Sequence, residues 1–295
     1  MARPPHRPAQ LRNAFFKGSD AIRTGLLTPD QLRSSAWRRL FRDVYVDARV
    51  PDTHQLRCRA VRLILPVGAV VTGRSAACLD GVPLGETDDP VHLLAPPGTR
   101  WARRGCRVVR TAWLPTGHLR AGDPPTTIPQ RTAWEIASEP DLVEAVAALD
   151  VLFRAARPVP AAMDQWVAAY PHSDAARAIA LADPLAESPQ ESRARVRLVL
   201  AGFPPPVPQY SIYAGGRFVA RVDLAWPTAR VAVEYDGAWH GEAAQIPRDR
   251  ARSNRLVDAG WEVLYLTGVQ LREPELFTVF CAQLRSALAR GGCLG

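Results

Sequence analysis

Two short apolar runs, VDLAW (222–226) and VAVEYD (231–236), carry Asp223, Glu234 and Asp236 among residues that otherwise read as central strands. Carboxylates in such surroundings cost free energy unless a cation or hydrogen-bond donors offset them. Side chains alternate faces along a strand, so Glu234 and Asp236 share one face and Val233 and Tyr235 the other. An antiparallel pairing of the two runs brings Asp223 towards Glu234 on that face. Three carboxylates at one edge suit a hard divalent cation, Mg²⁺ or Mn²⁺, which takes oxygen ligands and activates water for attack on phosphorus. Glu191, on the preceding helix, has the chemistry of a fourth acid. His240, just past the strand end behind Gly237, suits a general base or a leaving-group partner. A plainer alternative stays open: Asp236-Gly237 is a turn signal, and the acids pair with Arg221, Arg230 or the arginines of 248–255.

The elements around these runs follow from punctuation. PLAESPQESRARVRLVLAGF reads as one helix, capped by Ser188, entered through Pro189 and ended by Gly202. A strand from PPPVPQYSIY turns at Gly215–Gly216 into FVARVDLAW, which turns again into VAVEYDG. A polar helix, RDRARSNRLVDAG, ends at Gly260, before the strand WEVLYLT and a last helix, EPELFTVFCAQLRSALA. The order is α-β-β-β-α-β-α, with Arg248, Arg252 and Arg255 on the polar helix as candidate phosphate contacts and Asp249 as a further acid.

The rest of the chain divides into four segments. Residues 1–18 read as a loose basic tail. Residues 19–50 read as helix, turn, helix and hairpin, with Thr28 and Pro29 opening the helix TPDQLRSSA and a strand pair turning at Arg42–Asp43. That is the layout of a winged helix-turn-helix, which makes Gln31, Arg33, Arg38, Arg39 and Arg42 the candidate DNA contacts; small winged helices also dock proteins. Residues 51–120 form a mixed α/β region without a nucleotide-binding glycine fingerprint, and 121–183 a helical connector. The fold class expected is multi-domain α/β.

Charge is unevenly placed. Residues 1–120 carry 20 basic and 9 acidic side chains, residues 121–295 carry 17 and 20. A basic front half suits an anionic partner, double-stranded DNA first. Among the basic residues only Lys17 is a lysine. The five cysteines include no C-x-x-C pair and make neither a zinc pattern nor a disulfide framework. No signal peptide and no apolar run of about 18 residues is present, so a cytoplasmic protein without membrane association is expected.

The segment RVDLAWPTARVAVEYDGAWH…RDRARSNRLVDAGWEVLYLT resembles the domain of unknown function grouped with very-short-patch repair endonucleases, within the PD-(D/E)XK nuclease superfamily. The resemblance spans roughly 184–290. It implies a restriction-endonuclease-like mixed sheet flanked by helices, with Asp223 as metal-binding acid, Glu234 as the second-strand acid and Glu191 as the helix acid. Trp239–His240 resembles the WH of the repair enzymes, where the His assists catalysis. The chain departs from the family at the lysine usually found two residues after the second acid; Asp236 stands there, and arginine does not readily replace a basic lysine. GLLTPDQLRSSAWRRLFRDVYV is similar to the N-terminal winged helix of AbiEi-type antitoxins, with Asp43-Val44-Tyr45 where GVY is usual.

These readings lead to a Mg²⁺- or Mn²⁺-dependent endonuclease that binds DNA, with a repair, defence or toxin partner unassigned. The rival is a non-enzymatic, antitoxin-like regulator that keeps the nuclease fold as a scaffold. An RNA-directed nuclease would call for an aromatic single-strand platform, and the sequence has no clear one.

Overall fold

Strand-forming runs and capped helices alternate along the whole chain, and the computed structural model is accordingly mixed α/β. It describes residues 6–113, 115–155, 158, 160–237 and 246–292, with backbone alone at 246–250. Two compact units divide it, Met1–Ile136 and Ala137–Gly295. Among the described residues no helix is long and apolar enough to cross a membrane.

The first unit opens with β1 (Phe16–Lys17), α1 (Gly18–Arg23), α2 (Pro29–Leu32), β2 (Trp37–Phe41) and β3 (Val44–Asp47). The strands form an antiparallel sheet in the order β1-β3-β2. Residues 6–18 are therefore not a loose tail. Leu11 and Phe16 are buried with Ala21, Leu27 and Trp37, and β1 pairs with β3. Thr28 and Gln31 form a capping box at the start of α2, with Pro29 at its first position. The helix is shorter than the TPDQLRSSA segment suggested. Ser34 Oγ donates to the Gln31 carbonyl at 2.7 Å, and the chain then turns to bring Trp37 edge-on to Phe16.

The unit continues through α3 (His54–Ala60), β4 (Val70–Val71), α4 (Gly73–Leu79), β5 (Val91–Ala95), β6 (Cys106–Arg110), β7 (Leu119–Arg120), β8 (Thr126–Thr127) and α5 (Pro129–Ala137). Five of these strands make a mixed sheet in the order β6-β5-β4-β8-β7. Phe41, Val44 and Val46 of the β2–β3 hairpin share one core with Cys58, Val71, Val91 and Leu93. Cys58, Cys78, Cys106 and Cys281 are free thiols, and Cys293 lies outside the described residues.

The second unit begins with α6 (Leu142–Arg154), α7 (Asp164–Ala169), α8 (Asp174–Leu181) and α9 (Pro189–Leu200). Then come β9 (Val207–Ala214), β10 (Arg217–Trp226), β11 (Val231–Asp236), α10 (Ile246–Asp258), β12 (Glu262–Thr267), α11 (Gly268–Arg272) and α12 (Pro274–Arg290). The sheet order is β12-β11-β10-β9; β9, β10 and β11 are antiparallel, and α10 carries the chain back so that β12 lies parallel to β11. One face packs Leu224, Trp226, Val231 and Val233 against Leu198 of α9 and Phe280 and Leu284 of α12. The other packs Val222, Ala225 and Ala232 against Leu256 of α10 and Trp261.

Arginines fix α9 on several sides. Arg195 Nη2 donates to Asp150 Oδ2 at 2.8 Å and Nη1 to the Leu181 carbonyl at 2.6 Å, while Asp150 Oδ1 accepts the Asp183 N–H. Arg193 makes a two-pronged pair with Glu144, and Arg197 bonds the Leu271 carbonyl with its guanidinium over the Phe277 ring. Asp150 and Arg195 are both buried, so removing one leaves the other charge uncompensated. Arg195→Ala is expected to cost about 3–5 kcal/mol in denaturant unfolding. The double replacement Asp150→Leu with Arg195→Met should cost less than either single change; a cost equal to the sum of the singles contradicts the pairing.

Candidate functional site

The β10–β11 ladder runs Trp226↔Val231, Ala225↔Ala232, Leu224↔Val233 and stops there. The next position along would set Asp223 opposite Glu234. The Asp223 carboxylate instead accepts the Tyr235 N–H at 2.9 Å, so a side chain closes the pairing where the two backbones part. Alternation slips at the same place: Val222 and Leu224 pack on opposite faces of the sheet. On the other side, β9 pairs Tyr210 with Val222 and Pro208 with Leu224, which leaves Gln209 across from Asp223. Gln209 has φ +50°, a left-handed conformation that costs a non-glycine residue strain.

Gln209 joins two acids. Its Nε2 lies 2.8 Å from Glu191 Oε2 and 3.4 Å from Asp223 Oδ1. Glu191 is buried in the first turn of α9; Ser188 Oγ accepts its N–H, and its own Oε2 accepts the Glu187 N–H at 2.9 Å. Glu234 accepts a hydrogen bond from Arg252 Nη2 at 2.6 Å, and the same nitrogen reaches the Arg221 carbonyl. Burial, with the Glu191 and Glu234 charges adding, pushes the Asp223 carboxyl up to about 6, against the opposing pull of the Tyr235 N–H and the Gln209 amide.

Glu191, Asp223 and Glu234 are thus brought together. Asp236 is exposed at the end of β11, alongside Thr267 of β12. His240 lies outside the described residues, as does the side chain of Arg248; Arg255 is exposed on α10. Arg252, expected on phosphate, neutralises Glu234 instead. Its place there matches the plainer reading, in which an arginine of 248–255 pairs with the acids. The donors are hard oxygens and suit Mg²⁺ or Mn²⁺ by type. Yet among the described residues no group of three or more His, Cys, Asp or Glu is arranged to hold a metal ion, and Arg252 supplies the positive charge. Gln209 is the member that sequence reasoning missed.

The candidate DNA contacts of the first unit separate. The Gln31 side chain accepts the Thr28 N–H, and Arg33 pairs with Asp30 on the surface. Arg38 is half-buried: its guanidinium bonds the Val50 carbonyl and lies 3.5 Å from Asp52. Arg39 and Arg42 alone of the five are exposed without an ion pair among the described residues.

Fold and site define a two-unit mixed α/β protein whose second unit gathers acids where two central strands part. The uncharacterized protein Rv2248 of Mycobacterium tuberculosis (strain ATCC 25618 / H37Rv) is 31% identical over 248 residues, covering 79% of this chain and 86% of the relative. The uncharacterized protein MT2308 of strain CDC 1551 / Oshkosh matches to the same extent. The chain belongs to the family of these mycobacterial proteins. No family model matches it. Among solved structures, the RV2827C protein of Mycobacterium tuberculosis is similar at a TM-score of 0.39 and 17% identity, over 69% of this chain and 84% of that one.

Asp223 makes a pH signature. Below about pH 4 its carboxyl is protonated in the folded and the unfolded chain alike and has no effect on their balance. As pH rises from there through about 6, the unfolded chain releases its proton first and the fold loses stability. Asp223→Asn removes this loss. In metal-free buffer the variant should gain on the order of 2 kcal/mol relative to wild type between pH 4 and pH 7. Parallel unfolding profiles for the two proteins over that range would refute the burial of this acid.

Proposed function

We propose that the second unit is a restriction-endonuclease-like core that hydrolyses phosphodiester bonds with Mg²⁺ or Mn²⁺, and that the first unit, a winged-helix variant, brings it to double-stranded DNA. One observation carries the reading: Glu191, Asp223 and Glu234 gather at the parting of β10 and β11, where burial, with the neighbouring acidic charges adding, holds Asp223 near pKa 6. Acids kept at such a cost point to function. The resemblance of 184–290 to the repair-endonuclease group supports the same reading.

In this scheme Asp223 and Glu234 would hold the ion, Glu191 would support it through Gln209, and Asp236 stands at the open end of the strand. When bound, the ion would supply positive charge to the phosphoryl oxygens and lower the pKa of a water. Ion uptake would displace the Asp223 proton, and His240 would assist proton transfer in the reaction. Arg248 and Arg255 are the candidate phosphate contacts on α10. Arg252 must release Glu234 for the ion to enter.

That last requirement favours a second reading. Arg252 already offsets Glu234, and a protein that keeps this pair uses the fold as a scaffold for a DNA-binding regulator. Calorimetric titration with Mn²⁺, with and without duplex DNA, separates the two. The hydrolase reading expects one site in wild type, none in Asp223→Ala with Glu234→Ala, and Mg²⁺-dependent nicking of plasmid that the double variant lacks. DNA binding without ion uptake or nicking selects the regulator.

A further inference from the structure

A hollow of about 640 Å³ in the first unit is walled by arginine. Arg39 and Arg42 come from the β2–β3 hairpin, Arg57 from α3, and Arg103 and Arg104 from the turn before β6; Asp88 is the one acid in its lining. A second hollow of about 320 Å³ shares Arg103 and Arg104 and extends past Trp101 to Arg110. The two hollows make a track rather than a closed pocket.

Local structure holds these charges in place. Asp43, beside Arg42 in the hairpin turn, sits at φ +66° with its carboxylate bound by the Ser19 N–H at 2.8 Å and Ser19 Oγ at 2.6 Å. That acid is occupied and leaves Arg42 free of it. Gly105 closes the opposite wall at φ +83°, where a side chain would meet the Phe41 ring at 3.4 Å, so the two turns pack against one another. Arg57 is spent on Asp52 by a two-pronged pair. Arg103 donates to the Ala102 carbonyl and lies over the Trp101 ring. Arg39, Arg42, Arg103 and Arg104 have no carboxylate partner among the described residues. Four like charges along an open track repel one another until a polyanion with spaced charges neutralises them.

We infer that this arginine track, and not the short α2, is where the protein grips the sugar-phosphate backbone of duplex DNA. Helix α2 has four residues, and Gln31 and Arg33 on it are tied to Thr28 and Asp30. The inference rests on the reading of the chain as DNA-associated, and supplies the surface that reading lacks. Backbone contact by unpaired guanidinium groups predicts binding with little sequence preference and steep salt dependence.

The test is anisotropy of a labelled DNA duplex titrated with the full chain over a salt series. The proteins are wild type, Arg42→Gln with Arg104→Gln, and Gln31→Ala with Arg33→Gln. The expected result is a loss of about tenfold or more in affinity for the track variant, with the slope of log K against log salt shallower by nearly two. The α2 variant should bind as wild type does. The arginines exchanged in the track variant are exposed, so its thermal unfolding should coincide with that of wild type, whereas the α2 variant, which loses the Gln31 half of the capping box, should unfold at a slightly lower temperature. If wild type binds duplex and the track variant binds equally well, the track is wrong while the DNA reading stands. Failure of wild type to bind any duplex removes both. Equal competition by a mononucleotide, abolished in the track variant, would overturn the backbone assignment in favour of a nucleotide pocket; preference for an RNA duplex would overturn the choice of DNA.

Discussion

The Asp150–Arg195 ion pair is the contact on which the geometry of the second unit turns. It is buried, it carries hydrogen bonds to the Leu181 carbonyl and the Asp183 N–H, and it locks α9 against α6 and the end of α8. Such a pair adds little net stability over an apolar one, but it tolerates no misplacement of either partner. Glu191 lies one turn before Arg195 on the same helix. Its carboxylate, and through Gln209 that of Asp223, takes its position from a charge pair outside the acid cluster.

The acid cluster and the arginine track put opposite electrostatics on the two units. In the cluster, hydrogen-bond donors from Tyr235, Gln209 and the Glu187 backbone hold carboxylates that repel one another. In the track, Arg39, Arg42, Arg103 and Arg104 stand without carboxylate partners among the described residues. Arginine keeps its proton at any working pH, so the track responds to salt and not to acidity. The cluster responds to both. The use of arginine in the track therefore separates a surface that answers to salt alone from a cluster whose Asp223 titrates near 6.

Much of the second unit could be read from its punctuation. Ser188-Pro189 starts α9, Gly215–Gly216 turns β9 into β10, and Gly260 ends the stretch that carries α10. Each is a local rule of capping or turning, and the α-β-β-β-α-β-α order follows from them. Gln209 was hidden for a different reason. Counting back from the Gly215–Gly216 turn puts Pro208 opposite Asp223. A register shift between Phe218 and Ala220 moves the pairing by one and puts Gln209 there. The shift answers to tertiary packing and leaves no mark on the local pattern. The same holds for β1, two residues long and without periodicity, whose pairing with β3 ties residues 16–17 into the sheet. Arg38 and Arg39 are neighbours with identical side chains, and only the alternation of β2 sends one inward and leaves the other on the track.

The parallel return of β12 has a consequence for the order of assembly. The β9–β10 hairpin closes through a short turn and needs only adjacent chain, as does the antiparallel step to β11. Pairing of β11 with β12 must wait until the whole α10 crossover has been made and folded back. On a ribosome, Asp223, Gln209 and Glu234 thus leave the exit tunnel before the strand that covers the far edge of β11. An acid cluster built this way matures only when the chain is almost finished, and a product that stops short of Glu262 carries the acids on an open sheet edge.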